Sequence, residues 1–216
     1  KRIFDILDHV SNVPEPANPV TLPALKGQLQ MRQVGFRYGN RSVIRHLNRT
    51  HSLTFGERDG SASARMQRIT AVLSDAGFEA RPSVRIVQDM WDKWVFLATL
   101  AGITCLMRAP VGDIMASPGG REITLELLGN CLAVAAEAGH PPDEATVERT
   151  RQSLTDPGST LTASMLRDIQ RGGPIEADHI VGDMIERAGG QRGSIPLLHI
   201  AYAHLKAYEA NRERTR

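Results

Sequence analysis

Lysine is scarce in this chain of 216 residues. Of its 26 basic residues only Lys1, Lys26, Lys93 and Lys206 are lysines. None of the four follows a glycine-rich loop, and no G-x-x-x-x-G-K-[ST] segment occurs. Without a backbone nest and a lysine nothing grips a triphosphate, so a Walker-type ATP site is disfavoured. Cysteine is almost as rare. Cys105 and Cys131 are too few for a disulfide framework and have no metal-ligand spacing to each other or to a histidine. They read as buried thiols of an intracellular protein. A dominant charge is missing too: 26 basic residues against 24 acidic leave +2, too little for a nucleic-acid surface. Residues 1–10 mix acidic and basic groups on an amphipathic pattern, so a signal peptide is not expected there. The uncharged run from Trp94 to Met107 falls short of the roughly 20 residues that a bilayer requires, so a buried core helix is expected and no membrane span.

What is present centres on residues 89–107, DMWDKWVFLATLAGITCLM. Lys93 stands at the head of this apolar stretch between Trp91 and Trp94, the only tryptophans. Desolvation by those rings would disfavour the ammonium and suit it to acid catalysis. The bland alternative is that Lys93 snorkels and keeps its head in water.

Upstream, residues 1–9 place Ile3, Phe4 and Leu7 on one helical face, and Pro14, Pro16, Pro19 and Pro23 then impose an extended tether. Residues 28–39 alternate as a strand does, with one slip. A short strand is expected at Leu53–Phe55 and a second at residues 81–87, RPSVRIV. Between them an amphipathic helix would turn Met66, Ile69, Val72 and Leu73 inward, with Gly77 stopping it. Downstream the pattern is helical. One helix starts at Pro118 and runs to Gly139, and the next opens at residues 141–144 and ends near Leu154. Others cover 164–170, 175–188 and 196 to about 210, the last ending in a charged tail. The glycines at 189, 190 and 193 follow a helix, not a strand, so they form a loop and no dinucleotide fingerprint.

Two resemblances emerge. RIFDILD, the proline-rich tether and LKGQLQMRQVGFRYGNRSVI, over residues 1–47, resemble the start of an ABC transporter ATPase domain. In that family the aromatic at Tyr38 stacks on adenine. The missing phosphate loop disfavours an ATPase here.

The second covers about residues 42–209. MWDKW with its apolar helix, followed by LTASMLRDIQRGGPIEADHIVGDM, resembles ketopantoate reductase, specifically its C-terminal helical domain. The resemblance implies that Lys93 is the general acid on the keto oxygen. It implies that Ser164 hydrogen-bonds the substrate, that Glu176 contacts the substrate hydroxyl and poises the lysine, and that Asp168 lies near that site. Hydride delivery to a ketone leaves charge on oxygen, which a positioned acid must neutralise. Taken singly, Asp168, Glu176, Asp178 and His179 read as solvated helix residues; Glu176 would be a first-turn dipole partner. The family's asparagines one and two turns past the lysine are Leu97 and Ala101 here, which admits a different 2-keto acid.

The expected fold is mainly α. An ABC-like arm (1–47) and a truncated α/β remnant of a Rossmann cofactor domain (48–87) would precede a helical substrate-binding and dimerisation domain (88–211). NADPH is the cofactor the resemblance implies, although its G-x-G-x-x-G loop does not occur in this sequence. The expected function is the substrate half of a cytoplasmic, homodimeric 2-dehydropantoate 2-reductase, acting on a ketopantoate-like 2-keto acid without a metal and inactive alone. The alternative is a non-catalytic helical dimerisation module.

Overall fold

The computed structural model describes residues 52–189 and 194–215. The expected N-terminal helix, tether, strand and Tyr38 lie outside these residues.

The described chain opens on a βαβ unit. Strand β1 (Ser52–Phe55), helix α1 (Ala64–Leu73) and strand β2 (Glu79–Pro82) follow in order, and the strands pair in parallel from Ser52 opposite Glu79 to Phe55 opposite Pro82. Parallel neighbours need a crossover, and α1 supplies it. The Ser63 hydroxyl caps α1 by accepting from Met66 N at 3.1 Å. The second strand starts two residues earlier than expected and ends five residues earlier. Pro82 ends it, and Ser83 N then donates to Phe55 O at 2.8 Å. Ile86 and Val87, expected in the strand, already begin a helix. The inward face expected for α1 also differs. Met66 is buried, but Val72 is 76% exposed and Ile69 36% exposed, because a two-stranded sheet offers too little surface to cover them.

Helix α2 (Ile86–Met107) is the axis of the remaining fold. Its start is held by charge. The Ser83 hydroxyl accepts from Arg85 N at 3.0 Å and donates to Asp89. Arg85 bridges Asp89 (3.1 Å), Asp92 (3.1 Å) and Asp143 (3.6 Å). Its end is a left-handed residue, Arg108 at φ 57°, an uncommon site for a residue with a Cβ. At 22 residues the helix is long enough to cross a membrane, contrary to the expectation from residues 94–107, but most of its apolar stretch is buried inside the protein.

Around α2 pack α3 (Val111–Ala116), α4 (Gly120–Glu137), α5 (Glu144–Leu154), α6 (Ser164–Gln170), α7 and α8 (Pro196–Arg214). Helix α7 opens as a π-helical segment, Asp178–Gly182, and continues as α-helix, Asp183–Arg187. It therefore starts three residues later than expected. Helix α4 starts at Gly120 rather than Pro118, after the unforeseen α3. A Cβ on Gly120 would lie 1.8 Å from Ile114 O, so the turn between α3 and α4 requires glycine there. The tail expected to end α8 is helical through Arg214. Val95, Ile103, Leu127, Leu128, Leu166 and Leu198 fill the core. Buried threonines return their hydroxyls to their own helix: Thr99 to Val95 O and Thr104 to Leu100 O. Both cysteines are fully buried and unbridged, and burial pushes each thiol up to about 12, as inert core residues require.

Candidate functional site

The candidate residues lie along α2 and on the two segments that pack on it. Lys93 is exposed on the second turn of α2, whereas Trp91 and Trp94 are 7% and 9% exposed. Sequence neighbours on a helix point about 100° apart. The two rings therefore turn into the core, while Lys93 faces outward.

Trp94 has another role. Its Nε1 donates to Ile180 O, within the π-helical turn of α7, at 3.0 Å. The Trp94 ring lies 5.0 Å from Trp91, which stacks on His140 at 5.5 Å. The Arg187 guanidinium sits 5.5 Å over the Trp94 ring. Glu176 is exposed and precedes that turn, contrary to the expected place inside the helix. Its carbonyl accepts Ile180 N at 3.0 Å, so Glu176 caps α7 with its backbone. The structure thus brings the Glu176 segment to the level of α2 that carries Lys93.

Ser164 is the exposed first residue of α6. Ala163 N, just before it, donates to Thr104 Oγ1 at 3.4 Å. Thr104 lies about 16 Å beyond Lys93 along the axis and on nearly the same stripe, since eleven residues make just over three whole turns. Half-buried Leu97 and buried Ala101 occupy the stripe between them. Ser164 therefore stands at the far end of the row that Lys93 begins. Half-buried Asp168 lies one turn further on α6, close enough to Cys105 for its charge to help raise that thiol.

Sequence reading missed the contacts behind this row. Asn130, 6% exposed on α4, accepts Leu197 N (3.1 Å) and Leu198 N (3.3 Å) at its Oδ1 and so caps α8 from outside. Tyr202 OH donates to Asp178 Oδ1 at 2.7 Å, and Lys206 Nζ reaches both Asp178 oxygens at 3.0 and 3.2 Å. The only signal available was the i, i+4 spacing of Tyr202 and Lys206.

Among the described residues no cluster of His, Cys, Asp or Glu is arranged to hold a metal. The glycines between β1 and α1 are closely packed. A Cβ on Gly56 would meet Ser83 O at 2.2 Å and one on Gly60 would meet Val84 O at 2.4 Å, so protein backbone occupies the space.

Comparison with known proteins fits this architecture. The family model for the ketopantoate reductase C-terminal domain matches residues 85–209. An uncharacterized oxidoreductase of Bacillus subtilis is 34% identical over 173 residues, which are 80% of this chain and 57% of that protein. A 2-dehydropantoate 2-reductase of Archaeoglobus fulgidus is 29% identical over 132 residues, covering 61% of this chain and 44% of the relative. A solved structure of a dimeric ketopantoate reductase from Staphylococcus aureus superposes with a TM-score of 0.65 at 26% identity, over 76% of this chain and 56% of that one. The chain spans about half the length of the curated relatives it matches. With its helices in the family's arrangement and its match running from the start of α2 into α8, this chain belongs to the ketopantoate reductase family, whose C-terminal domain it carries.

Proposed function

We propose that the chain supplies the substrate-binding and proton-donating half of a cytoplasmic 2-dehydropantoate 2-reductase, acting on ketopantoate or a close 2-keto acid. The observation that carries this reading is the family match over 85–209, which includes Lys93, Ser164, Asp168 and Glu176 on one helix and the two segments packed against it. The reaction adds a hydride to a keto carbon and a proton to its oxygen. Lys93 is the proton donor, and its exposure leaves the ammonium accessible to a ligand on the surface of α2. Glu176 binds the substrate hydroxyl and orients the ammonium. The family resemblance makes Ser164 a hydrogen-bond partner of the substrate, with Asp168 near it. The apolar Leu97 and Ala101, in place of the family's asparagines, admit a different 2-keto acid. NADPH is the family's hydride donor, and no hydride step is assigned to these residues. The three sequence segments 1–47, 48–87 and 88–211 are read as an N-terminal arm, the end of a cofactor domain and the substrate domain, the last assembling as a homodimer.

The test is calorimetric titration of the chain with ketopantoate, repeated on Lys93→Ala. Binding that weakens roughly tenfold or more in the variant supports the role, because the alanine side chain cannot make an ion-paired hydrogen bond. Undiminished binding removes Lys93 from the site. No binding by the unaltered chain favours the dimerisation module instead.

A further inference from the structure

The segment from Gly172 to Asp178 joins α6 to α7 and carries Glu176. Four side chains of α8 fasten it from end to end. Arg212 Nε donates to Gly172 O at 2.8 Å, and Tyr208 OH to Gly173 O at 2.7 Å. Tyr202 and Lys206 grip the Asp178 carboxylate, and Lys206 is itself braced by Glu209 at 2.5 Å. The rail is fixed in turn, because Asn130 caps the start of α8.

At Asp178 the backbone changes pitch. Asp183 N donates to Asp178 O, five residues back, in place of the usual four. Such a turn amounts to one residue inserted into an α-helix, and it rotates the residues on its N-terminal side by about 100° relative to those on its C-terminal side. Glu176 lies on the N-terminal side. The turn is held from two directions: by α2, through Trp94 on Ile180 O, and by α8, through Asp178. Gly182 permits the second hold. A Cβ there would come within 3.1 Å of the Tyr202 ring, which must pass over the turn to reach Asp178.

We propose that Asp178 is a positioning residue: gripped by Tyr202 and Lys206, it maintains the π-helical turn and thereby sets where Glu176 stands relative to Lys93. The role rests on the functions proposed for Lys93 and Glu176. Asp178 itself does not touch substrate. It transmits the fixed position of α8 to the segment that does.

The test uses the full chain and ketopantoate. Affinities are measured for the unaltered protein, Asp178→Asn, Glu176→Gln and the double variant, with Asp113→Asn on α3 as the distant control. Asp178→Asn is expected to weaken ketopantoate binding roughly tenfold, and to add less than about twofold once Glu176 is already Gln, because residues acting through one another are not additive. In parallel the indole N–H resonance of Trp94, assigned by its loss in Trp94→Phe, should move in Asp178→Asn and stay in the control. Tyr202→Phe removes one hydrogen bond only, and gives a smaller change of the same kind if the stronger variant fails to fold. Losses that simply add in the double variant reduce Asp178 to a helix tie and overturn the proposal, as does unchanged affinity with an unmoved indole signal. A chain that binds no ketopantoate in its unaltered form overturns the functional reading itself, and the positioning role with it.

Discussion

Lys93 and Trp94 are consecutive in the chain but belong to different environments: one is exposed, the other buried against the turn that comes after Glu176. Adjacency in sequence suggested a lysine shielded by tryptophans, and the helical period decides otherwise. Asp178 shows the converse. It looked like an ordinary solvated acid, and only the arrival of α8 from more than twenty residues away gives it partners. The Tyr202 hydroxyl, and then the Lys206 ammonium, hold its carboxyl below the usual aspartate range. A depressed folded value means that this group stabilises the fold fully above the unfolded value of about 3.9 and loses that contribution as pH falls through the folded one. Urea unfolding at pH 7 and pH 3 should therefore show Asp178→Asn less stable than the parent at pH 7, with a narrower gap at pH 3. The gap at pH 7 should be at most about 1 kcal/mol, because the pair is exposed and screened. A gap that persists undiminished at pH 3 would mean that the carboxylate charge is not what matters.

At the scale of the element, sequence was most informative where one residue does one local job. Ser164–Gln170 was legible to the residue, and Asp143 before α5 marked its start as an N-cap should, accepting Thr146 N at 2.7 Å. It was least informative where a turn depends on tertiary contact. The break between α3 and α4 was hidden because Ser117-Pro118 reads as a helix start, whereas the chain needs two more residues to clear Ile114 O. The π-helical turn left no signature at all, since the groups that hold it, Trp94 and Tyr202, are distant in sequence. Replacing Gly120 by Ala should cost about 1–3 kcal/mol in a denaturant titration, because the atom in the way is backbone and cannot rotate aside. The same change at Gly129, where a Cβ meets nothing within 4 Å, should be neutral or stabilising.

At the scale of the molecule the described residues divide by burial. The helices around α2 share a continuous core, while the βαβ unit contributes one buried side chain, Met66. Parallel sheets are ordinarily covered on both faces, and this unit leaves Leu53 of β1, Val72 of α1 and Val84 just past β2 exposed. Native-state hydrogen exchange should therefore find the amides of β1 and β2 exchanging well before those in the middle of α2. Equal protection would mean that something covers the sheet in solution, through its open edges or its apolar face. The two tryptophans lie at the opposite extreme. Both sit inside the core, 5.0 Å apart and tilted by 42°, with an imidazole stacked on one and a guanidinium over the other. Because the sequence holds no third indole, all tryptophan emission from the protein originates beside Lys93. Transition dipoles at that separation and tilt couple, so the pair should give an exciton couplet in ultraviolet circular dichroism. The amplitude of that couplet reports the angle between the rings, and one of them is hydrogen-bonded to the turn that follows Glu176.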